Sequence, residues 1–157
     1  MNTLHQTMTR RPSVAESFAA VTDRLGVFPK SVVELALRAG VAAVFFKSGL
    51  SKIANWELTV QLFTDEYAVP VLPPELAAYM ATAAELICPV LLLAGLAARL
   101  GALALLGVTA VIQIFVYPQS WAEHLLWASI FVYVLTQGPG KLSVDHAIRR
   151  YFVGSDR

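Results

Sequence analysis

The stretch ELICPVLLL places Glu85 among apolar residues, with Pro89 one helical turn later. A carboxylate in such a setting pairs with a cation, stays protonated or moves a proton. Left ionised and unpaired in hydrocarbon, it costs at least about 2.5–3.5 kcal/mol. Arg38, in another apolar stretch, is the expected partner, and Glu34, one turn before it, competes for the same guanidinium. Pro89 has no N–H, so the carbonyl of Glu85 loses its helical donor and the helix is expected to bend there. Free carbonyl, carboxylate and guanidinium together form either a clasp that sets helix register or a functional polar centre.

Other groups extend this set. Helical spacing puts Arg38, Ala42, Phe45, Gly49 and Lys52 on one stripe. Lys52 is therefore expected to face inward, toward Asp65 or Glu66, while Lys47 snorkels outward. Gln113 and Tyr117 lie one turn apart, and His124 and Trp127 share a helix face beside Glu123. Together they can form a polar and aromatic pocket suited to a quinone head group, which needs an apolar slot, a stacking aromatic and hydrogen-bond partners for two carbonyls. The expected ligand-binding set is Arg38, Lys52, Glu85, Gln113, Tyr117, His124 and Trp127. Glu85 and His124 are the candidates for catalytic proton handling. Against this stands a plainer reading, in which Trp56, Tyr67, Tyr117, Trp121 and Trp127 form an aromatic belt at a membrane interface.

Metal and dithiol chemistry are not expected. No histidine or cysteine pair has ligand spacing; His5 and His146 lie outside the apolar segments that hold His124. Cys88 is the single cysteine, so there is neither an internal disulfide nor a C-x-x-C pair.

The elements that must position these groups are apolar helices. The chain has 157 residues, 57% hydrophobic and 15% charged, with a mean hydropathy of +0.60. A soluble domain carries about a quarter charged residues, so the composition points to a membrane protein. Four segments approach the roughly 20 apolar residues that cross a bilayer: 31–53, 75–97, 99–117 and 121–137. The second and third are expected to form a tight hairpin around Ala98 and Arg99. Pro73 and Pro74 suit a first helical turn, Pro118 ends the third segment, and Gly138-Pro139-Gly140 ends the fourth. Gly40, Ala43, Gly95, Gly101 and Gly107 are expected to allow close helix packing.

Two flanking segments are amphipathic. In 13–28, Ser13 and Glu16 fit a capping box ahead of the apolar spacing Val14, Phe18, Val21, Leu25. In 143–153, Ser143 caps a helix carrying Ile148, Tyr151 and Phe152. Both suit helices lying on a membrane surface. The first thirty residues lack the apolar core and small-residue cleavage site of a signal peptide. The expected organisation is an interfacial segment 1–30, a four-helix membrane domain 31–140 and an interfacial segment 141–157. The fold class is all-α: a four-helix transmembrane bundle with amphipathic N- and C-terminal helices.

Charge gives an orientation. Arg10, Arg11, Arg24 and Lys30 precede the first apolar segment, Arg99 sits between the second and third, and Lys141, Arg149, Arg150 and Arg157 follow the fourth. The loops 54–74 and 118–120 have no Lys or Arg and carry Glu57, Asp65 and Glu66. The positive-inside rule then puts both termini in the cytoplasm and the protein in the inner membrane. A net charge of +1 gives no sign of a nucleic-acid partner.

The ordered set resembles the DoxX/DoxD-like family of small four-helix membrane proteins over roughly 31–150. The likeness rests on Arg38 followed by Gly49-x-x-Lys52 in RAGVAAVFFKSGLSKI, on Glu85 with the exit Gly95-Leu96-x-x-Arg99, and on Gly138, Pro139, Gly140, Ser143 and Asp145 in GPGKLSVD. The resemblance implies a four-helix fold and a place near membrane redox chemistry. Some members resemble a subunit of a thiosulfate:quinone oxidoreductase, and others are associated with oxidative-stress or thiol-redox complexes.

Two functions follow as expectations. One is a quinone-interacting accessory subunit of a membrane redox system, in contact with lipid and with other subunits or copies of itself. The other is a non-enzymatic scaffold that docks redox or metal-stress proteins. A small-ion or metabolite transporter is a third, for which four helices are few unless the protein oligomerises.

Overall fold

The computed structural model describes residues 13–70 and 72–154, with the side chains of Leu25 and Val153 outside the description. His5, Arg10, Arg11 and Arg157 also lie outside the described residues. The described chain is all-α, with seven α-helices: α1 (Val14–Gly26), α2 (Lys30–Ala54), α3 (Trp56–Leu62), α4 (Pro74–Ala94), α5 (Ala98–Val111), α6 (Trp121–Gln137) and α7 (Val144–Val153). A π-helical turn, Phe63–Tyr67, extends α3, and another, Ile112–Val116, extends α5. Among the described residues there is no strand.

The local signals act as their chemistry dictates. Ser13 N–H donates to Glu16 Oε2 at 2.6 Å and Glu16 N–H donates to Ser13 Oγ at 3.2 Å, so the capping box is closed in both directions. Pro74 occupies the first turn of α4, where a missing N–H leaves nothing unsatisfied. Ser143 accepts from the N–H of His146 and starts α7. Pro118 opens a short 3-10 turn, Pro118–Ser120, that leads into α6.

Three details depart from expectation. The segment 54–74 is not a loop throughout: Asn55 caps α3 by accepting from the N–H of Leu58, and helix α3 with its π turn takes up Trp56–Tyr67. The hairpin turns at Gly95–Ala97, not at Ala98 and Arg99. Gly95 and Ala97 both take left-handed backbone angles, with φ of 68° and 47°, and α5 begins at Ala98. Of the small residues expected to allow close packing, Gly95 and Gly101 meet neighbours, but Gly40 and Gly107 face open space and Ala43 is exposed.

The long helices α2, α4, α5 and α6 share one core, built from residues such as Val41, Phe45, Leu92, Ala102, Leu105, Phe131 and Val134. Phe45 meets Trp127 and Phe131 edge-on, with ring centroids 5.1 and 5.4 Å apart. A second, smaller core of Phe63, Ala77 and Ala78 pins α3 and its π turn against α4. By length and apolarity, two helices of the described chain suffice to cross a membrane: Pro74–Ala94 and the continuous run Ala98–Val116. The 25-residue α2 has the length but carries Lys30, Glu34, Arg38, Lys47 and Lys52. The 17-residue α6 is apolar but short of the roughly 20 residues a full span needs.

Candidate functional site

Two polar clusters lie at different levels of the bundle, and the register between α2 and α4 decides which charges meet. That register is set at Gly49. A Cβ there would sit 2.8 Å from Leu86 Cδ2 and 3.1 Å from the backbone carbon of Glu85, so only glycine lets the helices approach this closely. Lys52, nearly one turn further along α2, reaches across: its Nζ lies 2.6 Å from Glu85 Oε2 and also donates to Ser48 Oγ at 2.9 Å. The Glu85 side chain is 2% exposed and that of Lys52 is 16%.

The expected Arg38–Glu85 pair does not form. Arg38 lies eleven residues before Gly49 in α2, about 16 Å at 1.5 Å per residue, too far for its side chain to span. It lies level with the end of α4 instead. Nη1 donates to the carbonyls of Leu92 at 2.8 Å and Leu93 at 3.1 Å, and Nη2 donates to Leu142 O at 2.5 Å. The first two are carbonyls of the last turn of α4, at the negative end of its dipole; Leu92 O is shared with the N–H of Gly95 at 3.1 Å. Arg38 is therefore a buried C-terminal cap delivered from another helix. Nor does Glu34 take this guanidinium: it accepts from Tyr133 Oη at 3.1 Å and lies 3.7 Å from Lys30 Nζ.

The rest of that end closes around Arg38. Asp145 accepts from the N–H groups of Ala97 at 2.8 Å and Ala98 at 3.1 Å, capping α5 from a distant part of the chain. Its own N–H donates to Gly95 O at 2.9 Å. Gly95 and Gly140, with φ of 68° and 83°, pass so near Ser143 and Glu34 respectively that a Cβ on either would collide. Here the polar centre is a clasp: it ties α2, the α4–α5 turn and the C-terminal segment together. A shallow polar cleft of about 720 Å³ beside it is bordered by Arg99, Lys141 and Arg149.

The opposite level holds a pocket. Its volume is about 580 Å³, within the range of small-molecule sites. Lys52, Glu85, Tyr67, Tyr117, His124 and Trp127 all line it, over walls of alanine and valine from α4 and α5. His124 Nδ1 lies 2.7 Å from Gln113 Oε1, and the Gln113 amide nitrogen donates to Pro118 O at 2.8 Å. The His124 and Trp127 rings are 5.2 Å apart. Tyr117 Oη donates to Glu66 Oε1 at 3.2 Å, so the acidic outer segment holds a tyrosine and not Lys52. Burial pushes the Tyr67 hydroxyl well above the ordinary tyrosine range, helped by the adjoining Tyr117, Glu66 and Glu85, so it stays a neutral donor.

Of the seven residues expected to bind a ligand, Lys52, Glu85, Tyr117, His124 and Trp127 border this pocket, Gln113 stands behind His124, and Arg38 belongs to the distant clasp. Sequence reasoning missed Phe63 and Tyr67, which the π turn carries over the pocket. The signal was present in the apolar spacing of WELTVQLF.

Fold and site together define a small all-helical protein with Glu34, Arg38, Glu85 and His124 turned inward. The DoxX family model matches residues 33–118, more than half of the chain. A protein of Haemophilus influenzae, described only as uncharacterized, is 31% identical over 130 residues, covering 75% of this chain and 84% of its own length. The chain belongs to the DoxX family. The matched segment contains Arg38, Gly49, Lys52, Glu85, Gln113 and Tyr117 but ends before His124, Trp127 and the GPGKLSVD stretch. No solved structure matches.

Proposed function

We propose that this DoxX-family protein is a four-span integral membrane protein of the inner membrane, with both termini cytoplasmic, and that it holds a quinone head group as an accessory subunit of a membrane redox system. The four-span reading draws support from an inverted distribution of polarity. In α2 the charged Glu34 and Arg38 are buried, while Val32, Val33, Val44, Phe46, Leu50 and Ile53 are exposed. In α6 His124 is buried while Leu125, Leu126 and Val132 are exposed. A soluble bundle does not leave such contiguous apolar surface in water. Arg99, Lys141 and Arg149 at one end, with Glu57, Asp65 and Glu66 toward the other, agree with the positive-inside rule.

The observation that carries the quinone reading is the 580 Å³ pocket in which Lys52, Glu85 and His124 meet Trp127 and two tyrosines. A flat ring can pack beside Trp127 with one oxygen facing Lys52, and Glu85 and His124 are the groups able to exchange protons. The test is chemical. The protein would be purified in native-lipid nanodiscs and extracted for chromatography of its quinones. About one quinone per chain is expected, falling severalfold in Trp127→Ala and His124→Ala. Quinone at no more than the level of the surrounding lipid, or variants that retain it in full, would sink this reading.

A scaffold role for redox or metal-stress partners finds its support in α7, where Tyr151 and Phe152 are 84% and 77% exposed beside Arg149 and Arg150. Crosslinking from Tyr151 in intact cells separates the two: the scaffold reading requires a discrete protein adduct there, and lipid adducts alone count against it.

A further inference from the structure

Gln113 fixes the direction of a hydrogen bond that it does not itself make to any ligand. Pro118 O can only accept, so the amide NH₂ of Gln113 must face it. That leaves Gln113 Oε1 turned to His124 Nδ1 at 2.7 Å. An amide oxygen also only accepts, so Nδ1 carries the proton. The neutral imidazole has a single N–H, so in that form Nε2 is a bare acceptor. Nε2 has no hydrogen-bond partner among the described residues, yet it is not among the buried atoms sealed away without one. His124 lines the pocket, so Nε2 is the ring nitrogen left for a ligand there. At the other side, Lys52 gives one proton to Glu85 and one to Ser48, and its third N–H remains for an incoming oxygen.

We infer that the pocket selects its ligand by hydrogen-bond direction: it takes a ring bearing a hydroxyl that donates to His124 Nε2, as a quinol or other phenol does, in preference to a ring presenting only carbonyls. The inference rests on the quinone reading above and sharpens it. A quinone carbonyl set against Nε2 brings two acceptors together and forfeits a bond, whereas a quinol makes that bond and still offers an oxygen to Lys52. Gln113 is a positioning residue here; it acts through the tautomer of His124.

The experiment compares a short-tailed benzoquinone with its quinol, bound anaerobically to the full chain in nanodiscs, and reads the histidine ring nitrogens by ¹⁵N NMR. The quinol is expected to bind about tenfold more tightly, the worth of one hydrogen bond. His124 should show a protonated Nδ1 and a bare Nε2. In Gln113→Leu the preference should fall to within about twofold, with mixed tautomers, chiefly because the Nε2–H tautomer now donates to the quinone, which binds severalfold more tightly. The tautomer measurement needs no variant, so it stands even if Gln113→Leu folds poorly. Equal affinity for both forms, or a proton on Nε2 in the native protein, overturns the inference and leaves the quinone reading in place. Binding of neither form overturns both.

Discussion

Lys52 Nζ and Glu85 Oε2 lie 2.6 Å apart, one from α2 and one from α4, where Gly49 brings the two helices together. The glycine and the lysine are a single device. Without the close approach at Gly49, the lysine stem would not reach a carboxylate buried at the centre of α4. The pair puts a donor and an acceptor at the floor of the pocket while keeping that floor neutral overall.

Removing one member of this pair should harm the protein more than removing both. Glu85→Gln or Lys52→Met leaves an uncompensated polar group, and a loss of about 3–5 kcal/mol is the usual scale for breaking a buried pair. The double variant Lys52→Met with Glu85→Leu should regain most of the stability and none of the ligand. Thermal melts in one detergent, run as a double-mutant cycle, measure the coupling; additive losses would show that the two side chains do not act together.

Gly49→Ala tests the register directly. The new Cβ meets Leu86 and the backbone of Glu85, and overpacking of this kind costs about 1–3 kcal/mol. Since it pushes α2 from α4, ligand affinity should drop along with the melting temperature. An unchanged melting temperature would argue against the close approach.

Arg38 should resist replacement by lysine. Its fork serves the carbonyls of Leu92, Leu93 and Leu142 at once, whereas an ammonium is a point charge without that geometry. Hydrogen bonds from a charged donor contribute about 1.5–3 kcal/mol each. Arg38→Lys should therefore loosen the C-terminal segment, read as faster proteolysis between Gln137 and Val144. Ligand binding in the distant pocket should change far less.

Asp145→Ala removes two acceptors from the start of α5. Loss of an N-terminal cap costs about 0.5–2 kcal/mol. Amide exchange at Ala97 and Ala98 should rise first, and Asp145→Asn should recover part of the protection. Equal protection in all three proteins would remove the capping role.

The capping box of α1 makes its helicity depend on pH. The backbone N–H and hydroxyl of Ser13 hold the Glu16 carboxyl below the usual glutamate range. A group with a depressed folded value contributes stability that is present above its unfolded value and lost as pH falls through the folded one. The ¹³Cα shifts of α1 should stay helical at neutral pH and drift toward coil as the pH falls below the ordinary glutamate range. In Ser13→Ala the drift should begin at higher pH.

The sequence by itself carried the helices, because their signals are local. Apolar runs bounded by Pro73, Pro74 and the GPG stretch marked α4 and α6 to within about three residues. The capping pairs at Ser13 and Ser143 announced α1 and α7. The pocket residues His124, Trp127, Tyr117 and Lys52 were legible from their spacing. Which charges meet was not. Arg38 and Glu85 looked like partners when each was measured from the end of its own helix, but pairing depends on the sliding register between two helices. That register follows from one close contact at Gly49 and from carbonyls at the end of α4 that no sequence pattern reveals. Only the packed bundle assigned Arg38 to a helix end and Lys52 to Glu85, since the guanidinium goes to the carbonyls at the negative end of a helix dipole and the ammonium to the carboxylate within its reach.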